Sequence, residues 1–291
     1  LLNVSEEKPV VLKVAVPNKG QLAEPARQML KEAGYLSASN TNALVVQDPI
    51  NGVEFYFLRP KDVAIYVGAG TLDLGVTGRD MLMDSGAPAR EVMQLGFAPS
   101  TFRIATPVGK FSTIKSLDGT RIATSYPRLL AEWLEKNGLS ATVIRLDGAV
   151  ENAVALGVAD VVADVVATGA TLRAAGLEIM GDPIVESEGI LISSESIDQS
   201  SAQETFQRRL HSVLVARSYV LVDYDIENIS LERACQITPG IESPTVSALQ
   251  NPAWSAVRAM VPAADVHRIM DELYVLGAKG ILVTDIHACR L

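Results

Sequence analysis

The amino-acid sequence predicts two α/β lobes followed by a smaller α+β unit. Three observations predict this. Strand-like apolar runs alternate with helix-spaced segments up to about residue 193. The run Val161–Val166 is apolar except for Asp164, which suits a parallel strand buried on both faces. A polar stretch at residues 194–204 then separates the alternating part from a segment ordered strand, helix, strand, strand, helix, strand, the βαββαβ order of a ferredoxin-like fold. Elements in the first two series need two packed layers each, which gives two lobes with a cleft between them.

Element by element, Val11–Val16 is a short apolar run closed by Pro17 and predicts a buried strand. Gln21–Ala33 places Leu22, Ala26, Met29 and Leu30 on one helical face and stops at Gly34. Ala43–Val46 and Val53–Leu58, joined by the turn Asp48–Gly52, predict a hairpin. Pro60 opens a helix through Val63–Val67, Leu72–Val76 is a strand, and Gly78 begins a turn. The second lobe takes strands at Phe102–Pro107, Arg121–Thr124, Thr142–Leu146 and Val161–Val166, with helices at Pro127–Asn137 and Ala149–Leu156. Ile190–Ser193 returns the chain to the first lobe. A helix at Glu204–Arg217 leads into strands near Tyr219–Asp223, Ser243–Ser247, Trp254–Val261 and Ile281–Ile286, with helices near Asn228–Ala234 and Ala263–Leu276. Residues 1–10 are expected to be a loosely ordered extension.

The chain has 291 residues, 48% of them apolar, enough for sizeable cores. Its net charge of −9 argues against a nucleic-acid surface, whose phosphates need a basic field. It leaves room for a locally basic pocket that holds a small anion. The two cysteines, Cys235 and Cys289, fit no metal-ligand spacing, so no protein metal site is expected. The start lacks a secretory pattern, and no apolar run reaches the ~18 residues that span a membrane. A soluble cytoplasmic protein is the expectation.

Several strand ends carry chemistry. Ala163–Leu172, ADVVATGATL, is a buried strand with one acid, Asp164, running into Thr168-Gly169-Ala170-Thr171 and a helix. Small residues let backbone N–H groups approach an anion, and a helix start adds unpaired donors. The same pattern also fits an ordinary strand-to-helix turn. Leu146–Glu151, LDGAVE, places Asp147 and Glu151 at a second strand end. These acids suit sugar hydroxyls or the outer shell of a magnesium ion on a pyrophosphate; a capping box is the alternative. Lys19 in Pro17–Gly20 and Arg59 in Leu58–Asp62 put cations at carboxyl ends of strands, where open α/β sheets bind ligands. Arg79 and Asp80 hold a similar position; taken singly, each of them, like Arg59, also fits a structural ion pair, and Lys19 also fits a surface lysine in a turn. His211, His267 and His287, the three histidines, lie in or beside the C-terminal unit, which excludes histidine chemistry in the lobes. No GxSxG or GxxxxGK[ST] motif occurs.

The segment Glu151–Leu172, ENAVALGVADVVADVVATGATL, resembles the signature of the ATP phosphoribosyltransferases. So do VAVPNKG, FLRPKDVAIYV, DLGVTGRD, LGFAPSTFRIATP, RIATSYP, IRLDGAVE, ITPGIESPT and ILVTDI, which together cover nearly all of the chain after residue 11 and look like the long, actinobacterial-type form. The resemblance implies a catalytic unit shaped like a type II periplasmic binding protein and a C-terminal ferredoxin-like regulatory domain. The expected boundaries are 1–98 with 188–217 for lobe I, 99–187 for lobe II and 218–291 for the regulatory domain. The implied reaction is attack of adenine N1 of ATP on C1 of phosphoribosyl pyrophosphate, with Mg²⁺ carried mainly on substrate phosphates. Also implied are feedback inhibition by L-histidine and a homo-oligomer between dimer and hexamer.

Carried over by position, Asp147, Gly148, Ala149, Val150 and Glu151 flank the ribosyl group. Asp164, Val165, Val166, Ala167, Thr168, Gly169, Ala170, Thr171 and Leu172 hold the ribose and its 5′-phosphate. Lys19 and Arg59 stabilise the departing pyrophosphate, and Leu22, Gly96, Phe97 and Tyr126 surround adenine. The histidine positions match Asp225, Ile241, Ser243, Thr245 and Gly280. Two positions depart from the pattern: Gly280 stands where relatives often have alanine, and Asn42 where they often have a basic residue. Three rivals share some of these features. A solute-binding protein shares the lobes, a Rossmann-like phosphoribosyltransferase usually carries two adjacent acids where this chain has Asp164-Val165, and a non-catalytic subunit would not need Lys19, Arg59 and the whole loop.

Overall fold

A computed structural model describes residues 11–36, 43–195 and 200–290. The extension 1–10 and Asn42 lie outside the described residues. The chain divides into two compact units, one running to Glu204 without Met29–Gly34, the other comprising Met29–Gly34 and everything from Thr205.

The first unit contains both lobes except Met29–Glu32, the end of the first helix. Lobe I holds β1 (Leu12–Pro17), α1 (Ala23–Glu32), β2 (Val45–Asp48), β3 (Val53–Leu58), α2 (Pro60–Gly68), β4 (Leu74–Gly78), α3 (Arg79–Ser85) and β5 (Ala89–Gln94). Lobe II holds β6 (Ser100–Pro107), β7 (Arg121–Thr124), α4 (Pro127–Lys136), β8 (Thr142–Arg145), β9 (Val161–Val166), α5 (Ala170–Ala174) and β10 (Leu177–Ser187), after which β11 (Gly189–Ser194) rejoins lobe I. The sheet orders are β2-β3-β1-β4-β11-β5 and β10-β6-β9-β7-β8.

The two sheets follow one plan. In lobe I, β3, β1 and β4 are mutually parallel, and β11 pairs antiparallel with both β4 and β5. In lobe II, β8, β7 and β9 are mutually parallel, and β6 pairs antiparallel with both β9 and β10. In each lobe the inserted antiparallel strand is the one that arrives from the other lobe. This is the bilobed periplasmic-binding-protein-like arrangement, and it corrects the expectation of a purely parallel setting for Val161–Val166. The strand is nevertheless buried on both faces: Val161 and Ala163 enter one core with Phe102, Ile122 and Leu130, while Val162 and Val166 enter another with Ala105, Ala123 and Leu172.

Local punctuation positions the elements. Pro60 and Pro127 open α2 and α4, where a missing N–H costs nothing. The predicted helix at Ala149–Leu156 is instead one 3₁₀ turn at Val150–Ala153. Gly148 (φ 156°) and Ala149 (φ 49°) bend the chain into it and Gly157 (φ 71°) ends it, so too few residues remain for an α-helix. Ala149 takes the cap position without a side-chain bond, so the capping-box alternative does not form.

The chain crosses between lobes at residues 95–99 and again at Glu188, and the crossings lie side by side. Leu95 N–H donates to the Gly189 carbonyl (2.9 Å), and Gly189 N–H donates to the Phe97 carbonyl (2.9 Å). A Cβ on Gly189 would overlap the buried Phe97 ring.

The second unit carries α6 (Ser201–Ser218) from Thr205 on, then β12 (Tyr219–Glu227), α7 (Leu231–Ile237), β13 (Thr245–Ala248), β14 (Trp254–Pro262), α8 (Val266–Val275) and β15 (Lys279–Asp285). The sheet order β13-β14-β12-β15 is antiparallel throughout, as in a ferredoxin-like fold. Val222, Tyr224, Val257, Ala259, Ile269 and Leu273 form its core. The sequence puts a boundary after residue 217, whereas the compact unit starts at Thr205; within it Arg217 pairs with Glu32 (2.8 Å).

Candidate active site

The carboxyl ends of the lobe strands meet at one cavity of about 180 Å³. Lys19 and Leu22, from the turn after β1, line it together with Tyr126 at the cap of α4 and Val165 and Ala167 around the end of β9. Asp80, Met81 and Ser187 complete it. A larger open cavity of about 720 Å³ shares Ser100, Ala167, Ser187 and Glu188 with the first and adds Arg79, Arg103, Val166 and Thr168.

Contacts across the lobes set this geometry. Lys61 on α2 donates to the Ser125 carbonyl and lies 4.5 Å from the centre of the Tyr126 ring. Asp84 at the end of α3 accepts from the backbone N–H groups of Arg128 (3.0 Å) and Leu129 (3.1 Å), satisfying donors that the start of α4 cannot use internally. Ser187 Oγ donates to Asp80 Oδ1 (2.6 Å) and accepts from the Asp80 N–H (3.1 Å). Arg79 holds Glu91 through two nitrogens (2.8 and 2.9 Å) and reaches Glu188 at 3.2 Å. It is a structural ion-pair former, as its sequence context suggested.

The acids differ in environment. Asp164 is half-buried, and loss of water pushes its carboxyl up to about 6; the Glu151 and Asp80 charges add to this, while the Val165 N–H (2.8 Å) and Lys61 oppose it. Asp147 is exposed beside Arg145 (3.6 Å). Burial first, then the Asp80 charge, raises the Tyr126 phenol above its ordinary value.

The structure brings together Lys19, Leu22, Tyr126, Val165, Ala167 and, in the adjoining cavity, Val166 and Thr168. Gly169 (φ 70°) turns the chain into α5, and Ala170 N–H points to Thr168 Oγ1 (3.4 Å). Gly96, Phe97 and Arg59 are not on the cavity walls. Phe97 packs over Gly189, Gly96 N–H donates to Glu188 (3.2 Å), and exposed Arg59 caps α2 next to cavity-lining Pro60. Asp80, Ser187 and Glu188 were not assigned to the site from sequence. The TGRD motif was the available signal for Asp80; the crossing strands that place Ser187 and Glu188 leave no local pattern.

A family model described as ATP phosphoribosyltransferase matches residues 59–212, and one described as HisG, C-terminal domain, matches residues 216–288. The chain is 57% identical to the ATP phosphoribosyltransferase of Paenarthrobacter aurescens (strain TC1) over 286 residues, covering 97% of this chain and 100% of the relative. This chain belongs to the ATP phosphoribosyltransferase family. The ATP phosphoribosyltransferase of Salinispora tropica is also 57% identical, over 281 residues, with the same shares covered. A solved ATP phosphoribosyl transferase (HisG:HisZ) complex from Thermotoga maritima is similar at a TM-score of 0.61 and 26% identity, across 69% of this chain and 97% of that one. The chain is thus a transferase of histidine biosynthesis, in the long form of the family that carries the C-terminal domain.

The residues matched to histidine binding occupy the second unit. Asp225 on β12 stands beside Gly280 on β15, where a Cβ would lie 4.0 Å from Asp225 Oδ2. Thr245 pairs with Arg258 across β13 and β14, and Asp225 with Ala256. Strand alternation therefore puts Asp225 and Thr245 on the sheet face opposite the helices. Ser243 is exposed in the loop before β13, and Ile241 lines a separate cavity of about 620 Å³ beside α7 and α8.

Proposed function

We propose that the lobes catalyse attack of adenine N1 of ATP on C1 of phosphoribosyl pyrophosphate, giving N1-phosphoribosyl-ATP and pyrophosphate. The observation that carries this is the convergence of Lys19, Leu22, Tyr126 and the β9 loop on one small cavity that opens beside a larger one. At about 180 Å³ the first lies below the roughly 300–1,000 Å³ of a whole drug-sized ligand and suits a single base. The larger space takes the sugars and phosphates. Asp164 binds ribose hydroxyls, Thr168–Leu172 takes the 5′-phosphate, and Asp147–Glu151 flanks the ribosyl ring. Lys19 and Arg59 stabilise the leaving polyanion, which is where negative charge develops.

No group of three potential metal-holding acids, cysteines or histidines occurs among the described residues. A magnesium ion would take its ligands mainly from substrate phosphates, with Asp147 or Glu151 at its outer shell, and would neutralise the pyrophosphate. The C-terminal unit binds L-histidine through Asp225, Thr245 and Gly280, with Ile241 and Ser243 nearby, and lowers activity. The assembly is a homo-oligomer between dimer and hexamer, and the setting is cytoplasmic. No helix of the described residues is long and apolar enough to cross a membrane.

The test is absorbance of the N1-substituted product when the purified protein meets ATP, phosphoribosyl pyrophosphate and Mg²⁺, with and without L-histidine. Product that histidine suppresses is the expected result. Product without suppression would remove the effector reading, and no product with pyrophosphatase present would remove the reaction.

A further inference from the structure

Among the described residues, Asp80 is the one charged side chain that is buried. It is 3% exposed and has no ion-pair partner among the described residues. A buried carboxylate without an ion-pair partner is costly, and this one stands on the wall of the small cavity. The backbone prepares its position: a Cβ on Gly78 would overlap Asp80 Oδ1, so TGRD lets the carboxylate fold back over the end of β4. Ser187 Oγ fixes one oxygen at 2.6 Å. An ionised carboxylate accepts about four hydrogen bonds, more than Ser187 and the neighbouring Tyr126 supply, and Asp80 lines the small cavity together with Leu22, Met81 and Ala98.

We propose that Asp80 is the charge partner of the adenine amidine: it accepts a hydrogen bond from the 6-amino group and stabilises the cation that forms as N1 reacts. This deepens the reaction proposed above and rests on it. In the transfer step the N1 lone pair forms the N1–C1 bond, and the C1–O bond breaks with its electron pair leaving on pyrophosphate. No proton has to move. The adenine ring gains one positive charge, spread over N1, C6 and the 6-amino nitrogen. A carboxylate held at that nitrogen interacts more strongly with the transition state than with neutral ATP, which is the requirement for rate enhancement. The same contact rejects guanine, which offers a 6-oxo acceptor in place of a donor.

The test compares ATP with purine riboside 5′-triphosphate, which lacks the 6-amino group, in the unsubstituted enzyme, Asp80→Asn and Asp80→Ala, following pyrophosphate release. Asp80→Asn is expected to lose about 10²-fold in kcat with ATP, on the scale of removing one preorganised charge partner. The preference for ATP over the purine analogue should fall by about 10-fold or more in Asp80→Ala; any intrinsic difference in N1 reactivity cancels in that comparison. An unchanged preference in an active Asp80→Ala enzyme would overturn the assignment and leave the reaction standing. Absence of product from ATP in the unsubstituted enzyme would remove both. A second measurement needs no variant: N1-methyl-AMP, which carries the positive charge, should bind the unsubstituted enzyme about 10-fold or more tightly than AMP. Equal or weaker binding would also overturn it.

Discussion

The lobe cleft and the open sheet of the C-terminal unit solve different problems with residues that look alike in sequence. In the cleft, acids and cations from distant segments converge. Asp80 and Asp164 are drawn out of water, and each is held by a neighbour's donor. On the C-terminal sheet, Thr245, Ser243 and Gly280 are exposed, Asp225 is half-buried like Asp164 but, among the described residues, lines no shared cavity with them, and Ile241 faces another cavity. Desolvation strengthens electrostatics where charge must be stabilised during a reaction. An effector contact needs only differential affinity between states, and an open sheet face suffices for that. The difference teaches that convergence of distant segments on one cavity, more than the presence of acids at strand ends, separates the proposed catalytic cleft from the proposed effector face.

The sharpest way to break this comparison is Arg59→Ala. A partner of the leaving pyrophosphate should cost about 10²-fold in kcat, measured at saturating substrates. A change confined to KM would make Arg59 a binding residue only. Next comes Asp225→Ala, expected to keep kcat with ATP and phosphoribosyl pyrophosphate while abolishing inhibition by L-histidine. Retained sensitivity in dose–response curves would separate Asp225 from the effector.

Asp164→Asn sharpens the burial argument. The folded carboxyl titrates at about 6 against an ordinary value of 3.8, so the folded chain holds this proton more tightly than the unfolded one. The stabilising contribution is complete below about pH 4 and is lost as pH rises through 6. Asp164→Asn should therefore be more stable than the parent at pH 7.5, by about 1–3 kcal/mol, with the gap closing near pH 4. Urea melts at both pH values measure this; a gap independent of pH would contradict the titration. The smallest effect is expected from Gly189→Ala, where the new methyl meets Phe97 at the lobe crossing. Overpacking there should cost about 1–3 kcal/mol, read as a lower Tm, and an unchanged Tm would mean that the ring yields freely.

The strands and helices that were legible in the sequence had strong punctuation or strong periodicity. Pro17, Pro60 and Pro127, together with the unbroken run at Val161–Val166, marked β1, α2, α4 and β9. The missed elements lacked both. β10 contains Gly181 and Pro183 and carries a register shift between Met180 and Val185, which an edge strand tolerates. β5, AREVMQ, alternates poorly, and α3 is seven residues long with Asp80 its one buried residue. The phosphate-loop candidates were legible because small residues after a buried strand have a local physical meaning. Asp80, Ser187 and Glu188 were not, because the contacts that hold them, Ser187 with Asp80 and Arg79 with Glu188, span more than a hundred residues of chain.

Hydrogen exchange of the full chain with each ligand separately tests the division between cleft and sheet most directly. ATP with Mg²⁺ should protect amides in Leu74–Gly78, Arg79–Ser85 and Pro127–Lys136, while L-histidine should protect Tyr219–Glu227 and Lys279–Asp285. Protection of the C-terminal strands by ATP, with the cleft segments unchanged, would contradict it.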